Sequence, residues 1–232
     1  MYPGYHPRVT RLLAALLALV LLAPPAHAAT RPVGAKPLSD AAAAARVKRS
    51  AWEPRPDNAD ENRRTLTSAQ RKAFRRTSDM PYKARVTGRF KGTTDEIIQW
   101  AAYKHGIDVN VMRAVAVVES WWRMSTVGDN GDSFGLYQLR RPYHCCPAYA
   151  KRSTAFNADY YGAIIRAYYD GKMSWLNDVE RGTDYKPGDL YGSLGAWFAG
   201  RWHTQPANDY IQRVKATLKA RTWRSADFRG QD

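Results

Sequence analysis

The sequence predicts a mainly α-helical domain with at most a small β-hairpin, preceded by a basic, largely irregular N-terminal segment. Beyond Gly92, apolar residues recur at the three- and four-residue spacing of a helix face, and helix-capping residues precede several of these runs. Before Gly92 no long apolar periodicity occurs, and three prolines interrupt the two short helical patterns. A single Asn-Gly turn, Asn130-Gly131, is the one clear signal for paired strands.

The first 28 residues predict a secretory signal peptide. Arg8 and Arg11 precede the apolar run Leu12 to Leu22, and small residues frame a cleavage site after Ala28. The apolar run is short for a membrane span, and a retained anchor is the alternative. The sequence therefore predicts an exported protein, secreted or held in the cell envelope.

Residues 29–92 are predicted to be a basic linker with transient helices beginning near Ser39 and Ser68. Without residues 1–28 the formal charge of +15 falls to +13, and residues 29–92 carry +10 of it, which leaves +3 for residues 93–232. Outside the cytoplasm such a segment meets anionic cell-wall polymers or membrane head groups first, so no nucleic acid partner is expected. A tail that charge merely keeps soluble is the open alternative.

The compact domain is predicted at residues 93–222 of the 232, followed by a C-terminal tail at 223–232. One helix starts at a capping box and ends at Gly106, and the next is apolar nearly all round, as a buried helix is. Residues 178–189 are polar and predict a surface loop. The predicted helices begin at Thr93, Asp108, Asn157, Leu190 and Asn208.

One carboxylate, Glu119, closes the buried helix and is followed at once by Trp121 and Trp122. Partial desolvation there favours the uncharged form and raises the pKa of a carboxyl group. A carboxylic acid that stays protonated near neutral pH can donate a proton to a leaving oxygen. A solvated glutamate near a helix end is the simpler alternative.

Glu119-Ser120, followed by Gly135-Leu136-Tyr137-Gln138, resembles the E-S and G-L-M-Q motifs of the lytic transglycosylase domain of the soluble murein-transglycosylase type, related to goose-type lysozyme. The family's A-Y-N-A-G signature falls on Ala196 to Gly200, where Trp197-Phe198 replaces Tyr-Asn. The resemblance covers roughly residues 93–220. It implies a lysozyme-like helical fold that acts on peptidoglycan glycan strands, and we expect a monomer with no cofactor and no metal.

The resemblance also implies roles for single residues. Glu119 would protonate the glycosidic oxygen between N-acetylmuramic acid and N-acetylglucosamine, and then act as base while the muramoyl 6-hydroxyl forms a 1,6-anhydro product. Ser120 would orient the acid, Gln138 would contact an N-acetyl group, and Gly135 would let the backbone approach the sugar. With the motif's tyrosine missing, the indole of Trp197 or the hydroxyl of Tyr137 would supply a donor.

Two other functions stay open. A muramidase of the same fold would use water activated by Asp129 or Asp132, although both residues also suit a turn. A non-catalytic wall-binding protein would fit the altered third motif and the basic segment. Sugar rings stack on aromatic side chains, so five residues are candidates for lining a substrate groove: Trp121, Trp122, Tyr137, Trp197 and Trp202. The alternative is that they are buried in the core, which we favour for Trp197 and also for Phe198.

The two cysteines, Cys145 and Cys146, are adjacent in the sequence. Their spacing excludes a structural zinc site, which needs four ligands with longer gaps. A vicinal disulfide, two free thiols and an intermolecular bridge all stay open. The scattered histidines show no ligand or nucleophile pattern, so no chemistry is assigned to them.

Overall fold

The computed structural model describes residues 32–141, 143–178 and 183–230. The predicted signal peptide and its cleavage site lie outside these ranges. Within them the protein is mainly α-helical, as predicted. Its α-helices are α1 (Asp40–Ala44), α2 (Ala59–Arg63), α3 (Ser68–Thr77), α4 (Thr94–His105), α5 (Val109–Ser120), α6 (Pro147–Arg152), α7 (Thr154–Tyr169), α8 (Leu190–Ala199), α9 (Gln205–Ala220) and α10 (Ala226–Arg229).

The strands of the described residues form one small antiparallel sheet in the order β1 (Val127–Gly128), β2 (Ser133–Phe134) and β3 (Leu139–Arg140). Val127 faces Phe134 in the first pair, and Phe134 faces Leu139 in the second. The predicted hairpin is therefore extended by one strand. The reason is a second tight turn, in which the amide N–H of Gln138 donates to the carbonyl of Gly135 at 3.1 Å.

Local signals position the two helices that lead to Glu119. The predicted capping box is present at the start of α4, where Thr93 and Glu96 satisfy each other's backbone N–H groups. Gly106 ends that helix in the left-handed conformation, with φ +66°. Asp108 then caps α5 by accepting from the amides of Asn110 and Val111.

Two predicted helix starts are wrong by a few residues. The helix predicted to begin at Asn157 begins at Thr154, because the Ser153 hydroxyl caps it by accepting from the Phe156 amide. Asn157 is instead buried inside α7. The last helix begins at Gln205 rather than at Asn208, with a proline in its first turn, a position where a missing N–H costs nothing.

The core is built around α5, which packs against α4 and α9, while α7 packs against α4 and α8. The apolar residues in the middle of α5 are buried, as the all-round apolar pattern predicts. Packing on both sides leaves the last turn of α5 facing the small sheet and α8. That end carries Glu119.

The interpretation of residues 29–92 as a linker is wrong for the part that the structure describes. Regular structure is sparse there, yet its few large apolar residues belong to the main hydrophobic core. Phe74 of α3 is fully buried and meets the ring of Phe156 edge-on at 5.3 Å. The Asn58 side chain donates to the carbonyl of Trp122 at 2.7 Å and accepts from the amide of Met124 at 2.8 Å.

The predicted C-terminal tail also packs on the domain. Trp223 and Phe228 are buried, and the Phe228 ring lies 5.3 Å and 5.2 Å from those of Trp121 and Trp122. The guanidinium carbon of Arg55 lies 4.2 Å from the centre of the Phe228 ring, so the N-terminal segment packs directly on α10. Amphipathic patterns this short give too weak a periodic signal to be detected in the sequence.

Cys145 and Cys146 are joined as a vicinal disulfide just before α6, which is one of the three states left open by the sequence. Among the described residues, no helix is long and apolar enough to cross a membrane.

Candidate active site

A groove of about 860 Å³ lies between the small sheet, the end of α5, and helices α7 and α8. Its lining includes four residues singled out in the sequence, namely Glu119, Asp129, Gln138 and Trp197. A volume of this size suits a ligand of a few sugar rings. The groove is therefore the candidate active site.

Glu119 lies in the wall of this groove, in the last turn of α5. Burial among protein groups raises the pKa of its carboxyl from the usual 4.5 to about 7. Hydrogen bonds from Tyr210 and Trp197 act in the opposite direction, as does the charge of Arg213, because all three favour the carboxylate. With a pKa of about 7, a substantial fraction of Glu119 stays protonated near neutral pH, and nearby groups favour the charged form once the proton leaves.

The Tyr210 hydroxyl, from α9, donates to Oε1 of Glu119. Its ring is buried and stacks on that of Phe198 at 4.7 Å, which fixes the direction of the hydroxyl. Burial also raises the pKa of this phenol well above its usual value, so Tyr210 stays a donor. The sequence did contain a signal: Tyr210 lies on the same helical stripe as Val214, and a buried tyrosine needs a hydrogen-bond partner.

Trp197 provides the second donor, since its only polar side-chain group is the indole N–H. Its ring stacks on His144 at 4.7 Å and meets Tyr161 edge-on at 5.0 Å. The expectation of core burial is wrong for Phe198, which is 47% exposed and lines the groove. Trp197 is partly buried against the core, as expected, and also lines the groove. The third motif thus supplies groove walls even without its usual tyrosine and asparagine.

Ser120 is buried beside the groove and does not line it. Its hydroxyl donates to the carbonyl of Leu136 at 2.8 Å and also reaches that of Ala116 at 3.2 Å. It therefore joins the end of α5 to the loop between β2 and β3. Ser120 was expected to orient the acid, and its hydrogen bonds do so indirectly, by positioning the turn of α5 that carries Glu119.

Gly135 and Tyr137 are also removed from the groove. A Cβ at Gly135, where φ is +74°, would lie 2.6 Å from Nδ2 of Asn157, so the glycine allows close packing inside the protein and not an approach to sugar. The Tyr137 ring stacks on Tyr161 at 4.1 Å, and its hydroxyl donates to the carbonyl of Met112 at 3.2 Å. The prediction that these two residues contact the substrate in the groove is therefore wrong.

Gln138 does reach the groove, from a left-handed backbone position with φ +49°. Its side-chain NH₂ donates to the carbonyls of Thr126, at 3.1 Å, and Gly135, at 2.8 Å. Both donors are then used, and the side-chain oxygen is left as an acceptor. An N–H group of a ligand amide is the natural partner for it.

The two carboxylates proposed to activate water differ in position. Asp129 lines the groove, accepts from the Ser133 hydroxyl and lies 3.5 Å from Nε of Arg140. Asp132 is bound to Arg141 at 2.6 Å and does not line the groove. Only Asp129 therefore shares the groove with Glu119, where its charge adds a small upward contribution to the pKa of Glu119.

Three of the predicted groove tryptophans do not line the groove. Trp122 and Trp202 are almost fully buried, and Trp121 packs against Phe228 away from the groove. The exposed rings of the groove are instead Tyr143, Trp175 and Phe198, at 72%, 41% and 47% exposure. Exposed aromatic faces suit the apolar C–H faces of sugar rings.

The fold and the groove together define a class: a mainly helical protein in which a carboxyl group of raised pKa, that of Glu119, lies in an aromatic-walled groove. Comparisons with protein-family models, with curated proteins and with solved structures give no significant match to this chain. Within the described ranges, no group of three or more His, Cys, Asp or Glu side chains is arranged to hold a metal ion.

Proposed function

We propose that the protein is an exported lytic transglycosylase that cleaves the glycan strands of peptidoglycan at the bond from N-acetylmuramic acid to N-acetylglucosamine. The observation that supports this most strongly is Glu119, a groove carboxyl whose pKa is raised to about 7 and which accepts a hydrogen bond from the Tyr210 hydroxyl. The resemblance of Glu119-Ser120 and Gly135 to Gln138 to the motifs of that family supplies the substrate class.

In the first step, protonated Glu119 gives its proton to the glycosidic oxygen as the bond to the muramoyl anomeric carbon breaks. The resulting carboxylate accepts hydrogen bonds from Tyr210 and Trp197, which favour the charged form. In the second step, Glu119 takes the proton of the muramoyl 6-hydroxyl while that oxygen attacks the anomeric carbon. The ring closes to a 1,6-anhydro product, and the acid regains its proton without a water molecule.

The groove walls would hold the strand in register. The free side-chain oxygen of Gln138 accepts from an N-acetyl N–H, and the exposed faces of Trp175 and Phe198 stack on sugar rings. The protein would act as a monomer in the envelope, after removal of residues 1–28.

A Glu119→Gln variant tests the assignment. The amide keeps an oxygen that can accept from Tyr210 but has no acidic proton, so cleavage of purified peptidoglycan should fall by about 10²- to 10⁴-fold. Mass spectrometry of the wild-type digest should show 1,6-anhydro-muramoyl ends. Wild-type-like cleavage by the variant would remove Glu119 from the mechanism.

Asp129 supports a second candidate, a muramidase, because it is the one predicted water-activating carboxylate that lines the groove. The matched variant is Asp129→Asn. A muramidase would produce reducing ends and would lose cleavage in this variant, whereas the transglycosylase should keep most of its cleavage and its anhydro products. The non-catalytic alternative rests on the altered third motif and on the basic segment. Tyr210 supplies a hydroxyl to Glu119 in place of the motif's tyrosine, which weakens the first of these two reasons.

A further inference from the structure

A second concavity, of about 600 Å³, lies between the chain after α1, the start of α3 and residues 89–91. Four cationic side chains line it, and no carboxylate does; they are Arg49, Arg71, Arg89 and Lys91. We call it the basic hollow. No residue lines both the basic hollow and the groove, so the two are separate sites.

The two arginines nearest α1 and α3 are held in place by protein acceptors. Arg49 donates to the carbonyl of Lys91 at 3.1 Å and to Glu96 at 3.0 Å, while Arg71 donates to the carbonyl of Leu66 and, at 2.8 Å, to Ser68. Each guanidinium has five N–H groups, so these contacts leave others available to a ligand. Side chains that are already ordered lose less conformational entropy when they bind.

Arg89 and Lys91 flank the buried Phe90, whose ring stacks on Trp100 at 5.4 Å. Both cationic side chains are exposed while Phe90 between them is buried, so the two cations face outward. Among the described residues, neither Arg89 nor Lys91 forms a salt bridge or a side-chain hydrogen bond. They add uncompensated positive charge to the rim of the hollow.

Such a cluster favours a ligand with several spaced negative charges. Each phosphate that meets a Lys or Arg side chain releases bound counterions, a gain that a neutral glycan cannot provide. The remaining walls contribute the hydroxyl-bearing residues Thr65, Thr67 and Ser68, which suit phosphate oxygens. The chemistry of the hollow therefore matches a chain of phosphodiesters.

The shape of the hollow favours a polymer strand over a membrane surface. Proteins that bind a bilayer insert apolar side chains beside their basic residues. Here the apolar wall residues Leu66 and Phe90 are buried, and none of the large exposed apolar side chains of the described ranges lines the hollow. A concave site admits a strand, whereas a flat bilayer cannot enter it.

We infer that the basic hollow binds a linear polyol-phosphate polymer of the cell wall through its phosphodiester groups. The assignment to a wall polymer rests on the proposed function; recognition of phosphodiesters does not. By this route the protein would be held at the wall while the groove acts on the glycan strands.

The experiment measures binding of the whole exported protein to a purified polyol-phosphate polymer over a series of salt concentrations. Arg89→Gln/Lys91→Gln should weaken binding about tenfold or more at low salt, and should reduce the slope of log K against log salt by about two. The control is Lys72→Gln/Arg76→Gln, which removes the same charge from exposed positions of α3 outside the hollow. This control should stay within about twofold of wild type.

Equal losses in the two double variants would overturn the site, because general basicity would then explain binding. Tighter binding to phosphatidylglycerol vesicles or to an oligothymidylate than to the polymer would overturn the choice of ligand. Cleavage of peptidoglycan stripped of phosphate polymers should be unchanged in both variants. If wild type binds the polymer, Arg89→Gln/Lys91→Gln does not, and neither cleaves peptidoglycan, the hollow is supported and the proposed function fails.

Discussion

The groove and the basic hollow are two concavities whose linings differ in charge. The groove lining contains three acidic side chains, Asp79, Glu119 and Asp129, and the three cations Arg140, Lys172 and Arg201. The hollow contains four cations and no acid. A site that moves a proton needs a carboxyl whose charge is suppressed, whereas a site that holds a polyanion needs exposed positive charge, which Arg89 and Lys91 provide in the hollow.

The two sites are joined mechanically through α3. Its first residues line the hollow, and its buried Phe74 packs against Phe156 and Tyr160 of α7, of which Tyr160 lines the groove. Residues 32–92 and the helical domain should therefore unfold together.

Phe74→Ala tests this joint unfolding and should have the largest effect on stability. Removing a fully buried phenylalanine should cost about 3–5 kcal/mol in the free energy of unfolding, and urea denaturation should still show one transition. The exposed neighbour in Lys72→Ala is the control, with a change of at most about 0.5 kcal/mol. Two separate transitions in the wild type would mean that the N-terminal segment folds independently.

The second prediction concerns the donors to Glu119 and compares two tyrosines. Tyr210→Phe should lower kcat/KM about tenfold, because it removes a hydrogen bond to the carboxylate that forms during the reaction. That bond lowers the pKa of Glu119, so without it the pKa rises above about 7. In the proposed mechanism activity requires the protonated acid, so it should be lost as pH rises through that pKa. The basic limb of the pH profile should therefore move to higher pH.

Tyr137→Phe is the matched control, since it also removes a buried hydroxyl but one that donates to the carbonyl of Met112. It should cost about 1 kcal/mol of stability and leave the pH profile in place. If Tyr137→Phe shifts the pH profile and Tyr210→Phe does not, then the hydroxyl that contacts Glu119 is that of Tyr137, as the sequence predicted, and not that of Tyr210 in α9.

The helical class and the caps of α4 and α5 were predictable because they depend on residues close together in the sequence. Thr93 with Glu96, and Asp108 with the following amides, form bonds within one turn. Glu119 was predictable for a similar reason, as a charge at the end of an apolar run. What could not be predicted depends on contacts across long separations. Tyr210 lies 91 residues from Glu119, and nothing local in α9 indicates the partner.

The roles of Ser120, Gly135 and Tyr137 show a further limit. A motif indicates that residues are needed together, but it does not say which of them touch the ligand. Here Ser120 joins α5 to the β2–β3 loop, and Asn157 holds that loop by accepting from the Tyr137 amide at 2.9 Å. The motif is mainly a scaffold that presents Glu119 and Gln138 to the groove.

The smallest predicted effect is on stability and follows from the suppressed charge itself. The folded-state pKa of Glu119, about 7, lies above the ordinary 4.5, so ionisation of the native protein costs free energy that the unfolded chain does not pay. Below pH 4.5 the carboxyl is protonated in both states, and Glu119→Gln should match wild type. As pH rises from 4.5 to 7 the wild type should lose stability relative to the variant, with a constant difference above pH 7.

We expect this constant difference to be about 1 kcal/mol, below the full linkage value because the side chain also faces the groove. Urea denaturation at several pH values measures it, with Asp57→Asn, at an exposed site, as control. If the stability difference between wild type and Glu119→Gln does not change with pH, the pKa of Glu119 is not raised. The groove would then not suppress the charge of its carboxyl group, and the proposed contrast with the basic hollow would be wrong.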